Sequence, residues 1–253
     1  MFGVTVAFVL ACSGNLQFQE IPAQQIEAIH ALPFTTDEVT RIYFIHNAES
    51  EYSVKDERGT KFTSGKSPHV HLNERGKEQA GRLGSLLSSR IENAIVFVPP
   101  AKRAEETAAF LLSDKVIMGP AYEGLFEVSM GVWEGKPKDE LYKAEHHKWK
   151  KLSAIDKYIT PRISTGESYL EASNRAMDDL ERILQSNSGK TILIISGENL
   201  LNALAIRWMN PNLSEEPGED LPMLPMAKGD FFLVEIPRGQ SMEQAHLKML
   251  FHL

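Results

Sequence analysis

Arg41-Ile42-Tyr43-Phe44-Ile45-His46-Asn47-Ala48-Glu49-Ser50 is the stretch on which the reading of this chain turns. Residues 39–45 alternate and are rich in β-branched and aromatic side chains, the pattern of a strand. Short polar residues follow and open a loop, so His46, Asn47, Glu49 and Ser50 come at the strand's carboxyl end. Two further apolar runs, 94–98 and 191–196, are continuous, as expected of strands buried on both faces.

Helical segments separate these strands. Asn73 is placed to cap a helix running to about residue 90, with Leu83, Leu86 and Leu87 on its buried side. The spacing predicts further helices over 102–112, 138–152, 167–185 and 200–209. Residues 115–118 read as a short strand, and 231–236 and 247–253 as late strands, antiparallel or at an edge. Strands alternating with helices indicate an α/β fold, a mostly parallel central sheet with helices on both faces. Ligands of such sheets sit beyond the carboxyl ends of the strands.

Bulk properties narrow the partners. No internal repeat or linker divides residues 39–253, which read as one domain. The net charge of -7 argues against nucleic acid as a partner. The single cysteine, Cys12, excludes an intrachain disulfide and a multi-cysteine metal site. Residues 1–38 read as an apolar segment and an arm. The run 4–11 ahead of Cys12-Ser13-Gly14 is too short to span a bilayer. It resembles the end of a bacterial lipoprotein signal, although no Lys or Arg precedes it and Leu10 is bulky for such a site. A lipid on Cys12 would place the protein in the cell envelope and is the sole membrane link the sequence suggests. The other reading is an N-terminal strand or a misplaced start, which leaves the protein cytoplasmic.

Four more blocks follow the first in order. They are Val96-Phe97-Val98-Pro99-Pro100-Ala101-Lys102-Arg103-Ala104-Glu105-Glu106-Thr107-Ala108, then Leu125-Phe126-Glu127-Val128-Ser129-Met130-Gly131-Val132-Trp133-Glu134-Gly135, then Gly166-Glu167-Ser168, and last Ile192-Leu193-Ile194-Ile195-Ser196-Gly197-Glu198-Asn199-Leu200. Together the five resemble the histidine phosphatase (phosphoglycerate mutase-like) superfamily over residues 39–236. The resemblance implies that fold and a pocket of two arginines, two histidines and a carboxylic acid. In register, the arginines fall on His46 and Arg103, the nucleophilic histidine on Asn47, the second histidine on Gly197 and the general acid on Glu127. Arg103 carries a fork of donors suited to two phosphate oxygens. Glu49, Ser50, Glu198 and His71 are expected at the pocket rim. Glu198 would either face the pocket and repel phosphate or serve as a first-turn helix acid. Glu167 is read as a helix cap.

A carboxamide nitrogen cannot replace imidazole in attacking phosphorus, because its lone pair is delocalised into the carbonyl. The leading expectation is therefore a phosphatase-like domain without turnover. It would hold a phosphorylated small molecule or a phosphoprotein through Arg103 and His46. The alternative is a working phosphomonoesterase or mutase with rewired residues, using a one-residue slip onto His46 or a histidine from the Pro68-His69-Val70-His71 loop. A third reading is a structural envelope protein with a vestigial pocket. No cofactor is implied, and no cluster completes a metal site around His69 and His71. His146 and His147 are expected to be solvated. Restoring His46→Arg, Asn47→His and Gly197→His together is expected to restore activity.

Overall fold

The computed structural model describes residues 38–111, 117–209 and 223–251. Cys12 and the arm, most of the Pro- and Glu-rich stretch after residue 209, and the last two residues lie outside them. Six strands form one sheet: β1 (Val39–His46), β2 (Ile95–Phe97), β3 (Ile117–Met118), β4 (Thr191–Ser196), β5 (Phe231–Pro237) and β6 (His246–Phe251), in the order β3-β2-β4-β1-β5-β6. The pairings β2·β3, β2·β4 and β1·β4 are parallel, while β5 runs antiparallel to both β1 and β6. The mostly parallel sheet expected from the sequence is present, with its late strands antiparallel.

Alternation along β1 splits the core in two. Ile42 and Phe44 join Ile192 and Ile194 on one face, under α4 (Ala154–Ile159), α5 (Tyr169–Asn187) and α6 (Glu198–Met209). Tyr43 and Ile45 join Leu193 and Ile195 on the other, under α1 (Glu74–Leu87) and α2 (Lys102–Leu111). Successive side chains of a strand point to opposite faces, so one run of apolar residues supplies both cores. Gly84 lets α1 approach α2 closely, since a Cβ there would lie 1.9 Å from the Leu111 carbonyl oxygen.

Several local expectations meet the structure. Asn73 caps α1, its side chain accepting from Gly76 N. Helix α3 (Glu140–Lys150) is shorter than expected because Asp139 caps it, accepting from Tyr142 N. Its continuation breaks at residues 151–153, and Ser153 caps the separate six-residue α4, which the sequence reading did not resolve. Glu167 lies outside α5. Ser168 and Glu171 form the capping box there, and Glu167 instead accepts from Ser129 N and pairs with Lys66 and Arg175. These pairs hold its carboxyl down to about 2, against the cost of burial.

Candidate active site: a basic cavity at the carboxyl ends of the strands

The parallel register of β1 and β4 sets His46 opposite Ser196, and Asn47 N donates to the Ser196 carbonyl at 2.8 Å. His46, Asn47 and Gly197 are thus brought together where the two strands end. Arg103 arrives on α2, which follows β2, and Glu127 on the loop that follows β3. His46, Asn47, Arg103, Glu127 and Glu198 line one cavity of about 320 Å³.

His46 is almost fully buried. Its Nδ1 lies 2.9 Å from the Ala227 carbonyl oxygen and its Nε2 lies 2.8 Å from Lys228 Nζ. Burial, and then the charge of Lys228, hold the imidazole well below its ordinary pKa. The neutral ring therefore donates from Nδ1 to Ala227, and its Nε2 lone pair accepts from Lys228. The tight turn that carries Lys228 is fastened to the strand end, with His46 N donating to Asp230 O and Gly229 N to His46 O. Asn47 is also buried, and its amide donates to its neighbour's carbonyl, Ala48 O.

Glu127 is tied to the amino end of α6. Its Oε1 accepts from Leu200 N at 2.9 Å and Val128 N at 2.7 Å, and its Oε2 accepts from Asn199 N and Asn199 Nδ2 at 3.1 and 3.2 Å. The unpaired N–H groups and the dipole of a helix start make a ready anion site, and a protein carboxylate occupies it here. Gly197 makes the room: a Cβ at that position would lie 2.2 Å from Glu127 Oε2. Glu198 is both the first residue of α6 and part of the cavity wall. Burial, and then the charge of Glu127, push its carboxyl up.

Arg103 is buried and gives two of its donors to the chain. Nη1 bonds Ser67 O and Nη2 bonds Gly65 O, both at 2.7 Å. A guanidinium has five N–H donors, so the rest of the fork remains for a ligand.

Of the residues expected at the rim, Glu198 lines the cavity, while Glu49, Ser50 and His71 make contacts of their own. Glu49 accepts from Asn73 Nδ2 at 2.8 Å, at the start of α1. Ser50 Oγ meets Ser53 Oγ at 3.1 Å within its own turn. His71 pairs with Glu106 at 2.6 Å with its side chain 55% exposed. The Ser50–Leu72 bridge closes this loop, and none of the three is among the residues that line the cavity. His146 is not solvated as expected. It stacks between Tyr142 and Trp149, and burial first and Arg162 next lower its pKa to about 4.

Four basic residues of the wall escaped the sequence reading: Lys61, Lys138, Arg162 and Lys228. Lys228 carried a topological signal. It lies just before a strand expected to be antiparallel, and the observed register pairs Phe231 with Ile45, next to His46. Burial lowers its ammonium to about 8, partly offset by Glu127. No group of metal-binding side chains occurs among the described residues.

The sequence model of the histidine phosphatase superfamily (branch 1) matches residues 42–227, and the chain belongs to that superfamily. Over 160 residues it is 27% identical to a bifunctional protein of Mycobacterium tuberculosis, covering 62% of this chain. The chain spans only 41% of the length of that protein. It is 25% identical over 167 residues to the adenosylcobalamin/alpha-ribazole phosphatase of Escherichia coli, covering 66% of this chain and 78% of that one. Among solved structures, YhfR of Bacillus stearothermophilus superposes with a TM-score of 0.62 at 25% identity, over 82% of this chain and 95% of that one. A phosphoserine phosphatase of Entamoeba histolytica superposes with a TM-score of 0.61 at 20% identity, over 83% and 96%.

Proposed function

We propose that this domain binds a phosphorylated small molecule and does not hydrolyse it. Charge supports the binding. Among the described residues, Lys61, Arg103, Lys138, Arg162 and Lys228 line the cavity against only Glu127 and Glu198, and His46 is neutral. The volume of about 320 Å³ suits a small ligand. The observation that carries the lack of turnover is the lodging of Glu127 in the space beside Gly197, on the donors of α6. Transfer through a phosphohistidine needs a ring nitrogen with a free lone pair. Among the described residues of the wall, His46 is the one imidazole, and its lone pair is held by Lys228.

Lys228 then serves as the phosphate's ammonium partner. Lys228→Met should weaken inorganic phosphate binding by roughly 10- to 100-fold in calorimetry. The pH dependence has a definite sign. The amine is charged below about 8 and neutral above it, so affinity should fall as pH rises through that value. On the acid side, protonation of a phosphate ester's dianion near pH ~6 weakens binding again. An affinity that stays flat across the alkaline range, or is unchanged in Lys228→Met, would remove Lys228 from the site.

A further inference from the structure

We infer that the wall formed by Lys61, Thr63, Lys138 and Arg162 is a second anion subsite, and that the ligand is a small molecule bearing two phosphate groups. The inference rests on the reading of the cavity as a phosphate site and adds a second point of recognition to it.

The backbone sets this wall. Lys138 N donates to Lys61 O at 2.9 Å and Thr63 N to Lys136 O at 3.0 Å, so the two strands of loop bring Lys61 and Lys138 side by side. Arg162 is fixed from behind. Its guanidinium bonds Tyr169 Oη and Asn199 Oδ1 and packs 4.8 Å from the Trp149 ring. The three cations repel one another: after burial, the charges of Lys61 and Arg162 are what depress the Lys138 ammonium. Among the described residues none of the three has a carboxylate within ion-pair distance. Glu198 feels Arg162 and also Lys228. Lys61 is exposed, and Lys138 and Arg162 are partly buried; like charges held together in this way repel, and a bound anion relieves the repulsion.

A second observation is independent of charge. Thr63 is 2% exposed, lines the cavity, and its hydroxyl has no hydrogen-bond partner among the described residues. Buried hydroxyls in native proteins are nearly always paired. A phosphate oxygen would accept from it. Three positive charges match a dianion better than a single carboxylate, which favours a second phosphate over a phosphorylated acid.

The test is calorimetry on the full chain at fixed ionic strength with propyl phosphate, phosphoglycolate and a propanediol bisphosphate. The bisphosphate should bind at least about tenfold more tightly than propyl phosphate, with phosphoglycolate between them. In the Lys61→Ala/Lys138→Ala variant that advantage should vanish, the bisphosphate losing about tenfold more affinity than propyl phosphate does. Lys228→Met should weaken all three ligands. Equal affinities in the wild type, or phosphoglycolate binding as tightly as the bisphosphate, would overturn the second-phosphate assignment. A uniform loss for all ligands in the Lys61→Ala/Lys138→Ala variant would replace the subsite with a diffuse field. Failure of every ligand to bind would overturn the phosphate reading itself.

Discussion

The triple variant His46→Arg, Asn47→His, Gly197→His is expected to hydrolyse p-nitrophenyl phosphate at least ~10³-fold faster than the parent chain, since groups of this kind act as a unit. The structure adds a condition that sequence reading missed. The new Cβ at position 197 meets Glu127 Oε2 at 2.2 Å and Cδ at 2.5 Å, so the carboxylate must leave α6. The displaced group is the far end of a flexible side chain on the cavity wall, and the cavity is where an acid must protonate the leaving oxygen. Reversion at Gly197 therefore does two things, adding an imidazole and releasing the acid. Single reversions are expected to stay near background for the same reason. A folded triple variant that binds phosphate and forms no phosphohistidine would mean that the alignment at residues 46–47 or at 197 is misplaced.

Glu127→Ala should cost about 2–3 kcal/mol of stability, because Val128 N, Asn199 N and Leu200 N lose their acceptor together. The measurement is the denaturant midpoint at unchanged slope. The same variant should bind inorganic phosphate more tightly than the parent, since the start of α6 becomes an open anion site. Removing a carboxylate that merely faced the cavity as a proton donor would leave stability unchanged or improved. A stable Glu127→Ala protein with unaltered phosphate affinity would therefore show that Glu127 is not the anion that closes this helix.

Legibility in the sequence followed how local each cause was. Strand β4 is confined to its apolar run, 191–196, and β1 to the alternation ending at His46, because burial on two faces leaves a pattern in consecutive residues. The Asn73 cap was readable for the same reason. Glu167 reads as the cap where Ser168 serves, because both residue types suit a helix start. The choice between them depends on Lys66, Ser129 and Arg175, which are distant in sequence. Of the candidate site, His46, Asn47, Arg103, Glu127 and Glu198 share the cavity as the motif spacing suggested. Glu49, Ser50 and His71 are not among its lining residues, and the loop that carries them has no periodic signal. Lys61, Lys138, Arg162 and Lys228 come from loops and turns between elements, and only pairing across the fold brings them to one wall.

The central claim, that the cavity binds a phosphate ester and leaves it intact, is most directly tested by phosphorus NMR of propyl phosphate with stoichiometric wild-type protein at neutral pH. The account predicts a shifted and broadened ester resonance that returns to its free position in Lys228→Met, with no inorganic phosphate appearing over a day. Growth of an inorganic phosphate signal, abolished by Arg103→Ala, would contradict it and would make His46 the first residue to examine as nucleophile.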